Sequence, residues 1–406
     1  MERRVVITGL GIWSCLGTNL DEVRQSLYSG KSGIIFSQAR KDAGFRSALC
    51  ADVPKADLKK YLSRDLRKLM PEEAQYGYLA TIQALEHAKL DQDFLDQNEV
   101  GVIYGNDSVA EATMQALDKF RQAGSTAACG SGAIFQSMNS TVTMNLATLL
   151  HLRGINLTAS AACASGSHSV GLSYLLIKDG LQDCIICGGA QEANMFSVAS
   201  FDGLMAFSTR EDEPTKASRP FDRDRDGLIP GGGAATLVLE SYEHAVKRGA
   251  PILAEIVGWG FSGNGDHIST PNVAGPTRSL ELCLKNGGIN PRDIGYINAH
   301  ATSTHAGDGR EALAIANIFG DYRVPVTSTK SQTGHEMWMA GASELIYSIL
   351  MMKNDFIGGS LNFENPDEDT ACINVIPETR EAHFDMFLSN SFGFGGTNSS
   401  LIIKNL

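Results

Sequence analysis

The chain has 406 residues, 43% of them hydrophobic and 20% charged, with a formal net charge of −12. This balance fits a globular protein of one large domain or two fused halves and makes a poor general binder of nucleic acid or anionic membrane. No apolar run approaches the roughly 20 residues needed to span a bilayer.

Met1 to Ile7 leads straight into a strand and lacks the apolar core of a signal peptide, which predicts a cytoplasmic protein. Val5–Thr8 is the expected strand, closed by Gly9 and Gly11. Glu72–Lys89 has helical spacing, and Val100–Tyr104 is a short apolar strand. Ser167–Lys178 is an apolar helix followed by a buried strand at Cys184–Cys187. Ala234–Leu239 and Ser400–Ile403 are further strands. Of the eight cysteines, only Cys184 and Cys187 are close in sequence. On a strand, positions i and i+3 face opposite sides, so these two read as packing residues and not as a metal or redox pair.

Alternating strands and helices predict layered α/β architecture. The same order of parts occurs twice. Asn156–Ser160 ends a strand and enters a helix, as Pro325–Thr329 does before Ser343–Met352. Gly231–Leu239 and Gly395–Ile403 are each a glycine-rich turn feeding a strand. The repeat predicts two similar halves, residues 1–250 and 251–406, fused face to face. The polar stretch Thr209–Lys216 is a surface loop.

Several short motifs can carry chemistry. Cys163 lies among small residues, Ala161-Ala162-Cys163-Ala164-Ser165-Gly166, where a strand gives way to a helix. A thiol at a helix N-terminus feels the positive end of the dipole, so its pKa is expected to fall. A single cysteine is more often a packing residue, and the turn alone does not decide. His300 follows the strand-like Ile294–Ile297 and neighbours Thr302 and Thr304. It is placed equally well for a site at strand ends or for local backbone bonding. Lys330 and His335 start the matching helix of the second half, so they converge on Cys163 if the halves pack about a pseudo-twofold axis. The loop Ser389–Asn398 combines glycines with Phe392 and Phe394, suited to offering a backbone N–H to an oxyanion and to gating an apolar tunnel. Asp222–Gly227 imitates a calcium loop, but Gly233 stands where the twelfth-position glutamate belongs and arginines interleave the acids. It reads as an ion-paired turn.

Together these pieces resemble the β-ketoacyl-acyl carrier protein synthases, type I/II condensing enzymes of the thiolase superfamily. The likeness runs from Val6-Ile7-Thr8-Gly9-Leu10-Gly11 to Phe394-Gly395-Gly396-Thr397-Asn398 and includes Arg219-Pro220-Phe221-Asp222. It implies a thiolase-like fold of two duplicated halves in αβαβα layers. It implies that Cys163 holds the acyl chain and that His300 and His335 stabilise the enolate left by malonyl decarboxylation. Backbone N–H groups of Cys163 and Phe394 would form the oxyanion hole, with Phe392 and Phe394 gating the pocket. Lys330 would support His335 with Glu344 as its charge partner, and Thr302 and Thr304 would bond pantetheine. The resemblance implies no metal or nucleotide cofactor. The implied partner is acyl carrier protein, docked on Arg64, Arg67 and Lys68, which otherwise form a solvated helix face. Family members are dimers, so a homodimer is expected, or a heterodimer with a catalytically degenerate chain-length factor.

The sequence departs from the family at Ala301, usually glycine, at Gly105-Asn106-Asp107-Ser108, which lacks a glycine run, and at Trp338, where small residues are usual. These departures suggest a reshaped acyl pocket or dimer surface, and a polyunsaturated or aryl-primed chain of a specialised polyene or polyketide pathway as substrate. A coenzyme A-dependent thiolase is a weaker alternative, because no cysteine follows Cys372. A non-catalytic chain-length factor is disfavoured by the retained Cys163, His300, Lys330 and His335.

Overall fold

The computed structural model describes residues 3–406. The first strand, β1 (Val5–Trp13), does not stop at the glycines. It runs past them because α1 (Glu72–Ala88) lies directly on it. A Cβ at Gly9 would fall 2.2 Å from the Ala84 carbonyl oxygen, and one at Gly11 1.9 Å from that of Ala80. Only glycine lets a strand and a helix approach this closely. The helix answers with a face of Ala80, Ala84 and Ala88, all fully buried.

The first half continues with β2 (Val100–Gly105), β3 (Asn156–Ala159), β4 (Cys184–Gln191) and β5 (Gly233–Ser241). The second half holds β6 (Ala254–Gly263), β7 (Tyr296–Asn298), β8 (Pro325–Thr327), β9 (Met386–Gly393) and β10 (Thr397–Asn405). In space the first half is ordered β3-β2-β4-β5-β1 and the second β8-β7-β9-β10-β6, which is the same order reached by the same path. Asn374–Val375 extends the edge beyond β8. The halves join where β1 and β6 pair antiparallel, Val5 opposite Ile256. The expected duplication is present, and the whole is one 11-stranded sheet.

Helices complete five layers. α1 and α2 (Thr141–Leu149) cover the outer face of the first half, and α4 (Ala274–Gly287) packs on β6 and β10 with α5 (His305–Phe319) beside it. Between the half-sheets lie α3 (Ser165–Lys178) and α6 (Ala340–Lys353), in contact with each other. Every residue of α6 except Lys353 is buried, as expected of a helix enclosed on all sides. Cys184 belongs to the outer apolar cluster and Cys187 to the central one, on opposite faces of β4 as their spacing requires.

Candidate active site

The nucleophile candidate sits on a strained turn. β3 ends at Ala159, Ala162 takes φ 47°, and α3 begins at Ser165. The Ser165 hydroxyl accepts from the Ala161 N–H at 2.8 Å and donates to the Ala162 carbonyl at 2.6 Å, bracing the turn from inside. Asp107 adds an outside brace, its carboxylate accepting the Ala162 N–H at 3.2 Å. Small residues let the layers close around this turn. A Cβ at Gly166 would come within 2.9 Å of the Trp338 carbonyl oxygen, and one at Gly341 within 2.6 Å of the Ser167 nitrogen.

Cys163 is only 6% exposed. The backbone amides of Phe394 and of Cys163 itself act on the thiol, favouring its charged form. The expected fall in thiol pKa is overturned. Burial pushes the Cys163 thiol up to about 12, outweighing the opposing pull of Lys330 and the two amides. The helix-terminus argument missed that the sulfur is shut away from water, which penalises the thiolate more than the nearby dipoles favour it.

His335 is fixed from three directions. Its N–H donates to the Ile229 carbonyl at 2.6 Å, its carbonyl accepts from the Gly231 N–H at 2.8 Å, and its ring Nδ1 accepts from the Met337 N–H at 3.2 Å. That last bond puts the imidazole proton on Nε2, which is buried and has no protein partner. His300 stands edge-on to His335, ring centroids 5.3 Å apart. Glu311 holds the His300 loop, its two oxygens accepting from the N–H groups of His300 and Ala301 at 2.9 and 2.7 Å. Burial, with Lys330 nearby, holds both imidazoles well below their ordinary pKa, so both are neutral near pH 7. Lys330 and Glu344 form a wholly buried ion pair beneath them.

Cys163, His300 and His335 line one cavity of about 310 Å³, together with Thr302, Thr304, Phe392 and Phe394. The hydroxyls of Thr302 and Thr304 lie 3.2 Å apart along its wall. The glycine-rich loop is tied across this cavity to the segment after β6. The Gly395 N–H donates to the Ile268 carbonyl at 2.7 Å, and the Asn264 N–H to that of Gly396 at 2.9 Å. Trp338 is buried in one apolar cluster with Cys163 and packs against Phe201, ring centroids 6.3 Å apart. Arg64 and Arg67 lie on a short surface helix that ends at Lys68. Arg67 donates to the Leu62 carbonyl and Lys68 pairs with Asp65, which leaves Arg64 without an ion-pair partner among the described residues. The Asp222–Gly227 turn is ion-paired as expected, with Arg219 on Asp222 at 3.0 Å and Arg225 on Asp367 at 2.6 Å.

Residues 2–245 match the family described as Beta-ketoacyl synthase, N-terminal domain, and residues 253–364 its C-terminal domain. The chain belongs to the β-ketoacyl synthase family. It is 41% identical to 3-oxoacyl-[acyl-carrier-protein] synthase 1 of Haemophilus influenzae over 99% of both chains. A solved β-ketoacyl synthase from Burkholderia phymatum superposes over the full length of both chains with a TM-score of 0.95 at 37% identity. A type II polyketide ketosynthase, solved in complex with its acyl carrier protein, superposes over both full chains at 0.90 and 27% identity. This β-ketoacyl synthase is therefore a condensing acyltransferase with the thiolase-like fold. No described helix is long and apolar enough to cross a membrane.

Sequence reading missed Glu311, Asp107 and Phe201, which brace or line the synthase site from elements far from its motifs. It also passed over Glu336. Its signal was an acid placed directly after the histidine and ahead of the apolar run Met337-Trp338-Met339.

Proposed function

We propose that this synthase extends acyl chains by decarboxylative condensation, with malonyl and acyl groups delivered on acyl carrier protein. The observation that carries the reading is the convergence of Cys163, His300 and His335 on one cavity, with the Phe394 segment lining it beside them. In the first step the Cys163 sulfur attacks the acyl thioester, the carrier thiol leaves with the proton, and the Cys163 and Phe394 N–H groups hold the transient oxyanion. In the second, the malonyl carboxylate leaves as carbon dioxide and its bonding pair passes to an enolate. The Nε2–H of His335 and an N–H of His300 stabilise that oxygen. The carbanion then attacks the Cys163 thioester and expels the sulfur as thiolate, which takes a proton from water to restore the thiol, giving the β-ketoacyl product. Lys330 with Glu344 sets the field around His335, Thr302 and Thr304 bond the pantetheine arm, and Phe392 and Phe394 gate the chain. No cofactor enters this reading, since N–H groups activate both carbonyls. Arg64, Arg67 and Lys68 supply the basic patch that an acidic carrier needs on an acidic enzyme.

Incubation with acyl- and malonyl-carrier protein, followed by mass spectrometry, tests this. Cys163 is expected to carry the acyl group and a β-ketoacyl carrier to form. Product formation by Cys163→Ala at the native rate ends the reading.

A second reading concerns the chain itself. Trp338 fills space beside Cys163, and its buried indole N–H has no protein partner. Phe201 lines the cavity and Trp338 packs behind it, and this rigid aromatic backing suits a planar unsaturated or aryl-primed chain better than a flexible saturated one. Trp338→Gly is expected to shift preference across a panel of acyl carriers, and an unchanged preference rules this out.

The synthase is expected to act as a dimer. β3 is an edge strand of the sheet, and Leu157 on it is exposed, as are Ile134, Phe135 and Met138 in the stretch before α2. An edge strand that exposes an apolar side chain is normally covered. Sedimentation of the purified chain decides between a self-dimer and a monomer awaiting a chain-length-factor partner.

A further inference from the structure

Glu336 follows His335 and is 1% exposed. Its Oε1 accepts from the Tyr347 hydroxyl at 2.9 Å and its Oε2 lies 2.5 Å from the Ser343 hydroxyl, both on α6. Among the described residues no cation pairs with it, since Lys330, the cation acting on it, is paired with Glu344. The other groups facing this pocket come from the turn after β1, where Ser14 and Cys15 lie against Tyr347, and from the Gly231 backbone. A Cβ at Gly231 would come 3.3 Å from the Glu336 Cγ, so the side chain has little room to swing away.

The hydrogen count favours one state. The Ser343 hydroxyl has a single proton and two acceptors in reach, Glu336 Oε2 and, at 3.0 Å, the Ala340 carbonyl. With a proton on Oε2, Glu336 donates to Ser343 and Ser343 donates to Ala340, so every partner is satisfied. With the proton gone, a carboxylate is buried on two hydroxyls with no counter-charge, a costly arrangement.

We propose that Glu336 is an uncharged carboxylic acid that positions His335 by clamping its turn to α6, and that its ionisation weakens enolate stabilisation. The inference rests on the role given above to His335. The clamp reaches the helix that also carries Glu344, so one rigid element orients both the histidine turn and the partner of Lys330. Burial raises the Glu336 carboxyl to about 8, against the pull of Ser343, Tyr347 and Lys330 and with a push from Glu344. Cys15 and Tyr347 are held protonated well above that range, and His335 stays neutral. Glu344 and Glu311, raised by burial to about 7, titrate below it, so Glu336 is the carboxyl of this site that ionises last, and only its own change is removed by Glu336→Gln. Its anion would then oppose the negative charge that develops on the enolate.

The test is the pH profile of malonyl-carrier decarboxylation by the full-length enzyme. The native rate is expected to fall about tenfold between pH 7 and 9.5, as one added like charge at this range implies, with a midpoint near 8. Glu336→Gln, which donates to Ser343 as the acid does, is expected to stay within about threefold of native at pH 7 and to lose that alkaline fall. Glu336→Ala, which cannot clamp, loses about tenfold or more at pH 7. An alkaline fall retained unchanged in Glu336→Gln, or a Glu336→Gln rate as low as that of Glu336→Ala, overturns the proposal. Should the variants fold poorly, infrared difference spectra of the native protein serve instead. A protonated carboxylic acid band must be lost with a midpoint near 8, separate from any loss near 7 by Glu311 and Glu344, and a difference spectrum without that component overturns the proposal. A native enzyme that does not decarboxylate at all overturns the His335 role instead.

Discussion

The ring Nδ1 of His335 accepts the backbone N–H of Met337 at 3.2 Å. Met337 takes φ 48° to make that bond, an uncommon conformation for a non-glycine residue. The backbone thus fixes the imidazole tautomer and turns a weak base into a permanent donor. His335→Ala is expected to lower malonyl decarboxylation by about 10²- to 10³-fold, the usual loss for one preorganised donor. Acylation of Cys163 should persist. Carbon dioxide release and mass spectrometry read the two steps separately, and equal loss of both refutes the division of labour.

The Cys163 thiol at about 12 predicts slow reaction with alkylating agents near neutrality. A thiol reacts as its thiolate, and each pH unit below the pKa reduces that fraction tenfold. Iodoacetamide labelling of Cys163 is therefore expected to rise about tenfold per unit from pH 7 to 10. A plateau near pH 8 would instead mean that the helix terminus outweighs burial.

The buried Lys330–Glu344 pair predicts an asymmetry in stability. Lys330→Ala strands a carboxyl that burial has already raised to about 7. The expected cost is about 3–5 kcal/mol when one partner alone is removed. Replacing both with apolar residues, Lys330→Met with Glu344→Leu, should restore much of that stability but not the activity. Denaturant unfolding compares the two variants, and an equally unstable double variant contradicts the argument.

Arg64 is exposed and has no ion-pair partner among the described residues, so its charge is available to a carrier. Arg64→Glu is expected to raise KM for carrier-bound substrates several-fold and leave kcat nearly unchanged. Small-molecule thioesters that skip docking should show no change. An equal effect on both substrate types places the carrier elsewhere.

Much of the site was legible because its chemistry sits in contiguous motifs at strand ends. The repeated strand–turn–helix order brought Cys163 and His335 to facing turns, and the structure realises that order strand for strand. Three readings failed for physical reasons. The strand at Val5 did not end at Gly9, since glycine there marks a close helix and not a break. The thiol pKa moved upward, since burial is invisible in a local motif. Glu311 and Glu336 passed unnoticed, since their value comes from backbone and hydroxyl groups folded onto them from other elements.

The two half-sheets meet along β1 and β6, and the chain crosses between them just once, through the stretch around Gly249 and Ala250. The sulfur belongs to one side of that seam and both imidazoles to the other. Cutting the polypeptide at this crossing would leave each piece with a whole set of five strands but only part of the reactive centre. Co-expressed fragments are expected to reassociate across the seam and recover turnover, while each alone stays inert. Catalysis here is a property of the joint, acquired only when the two surfaces close on each other.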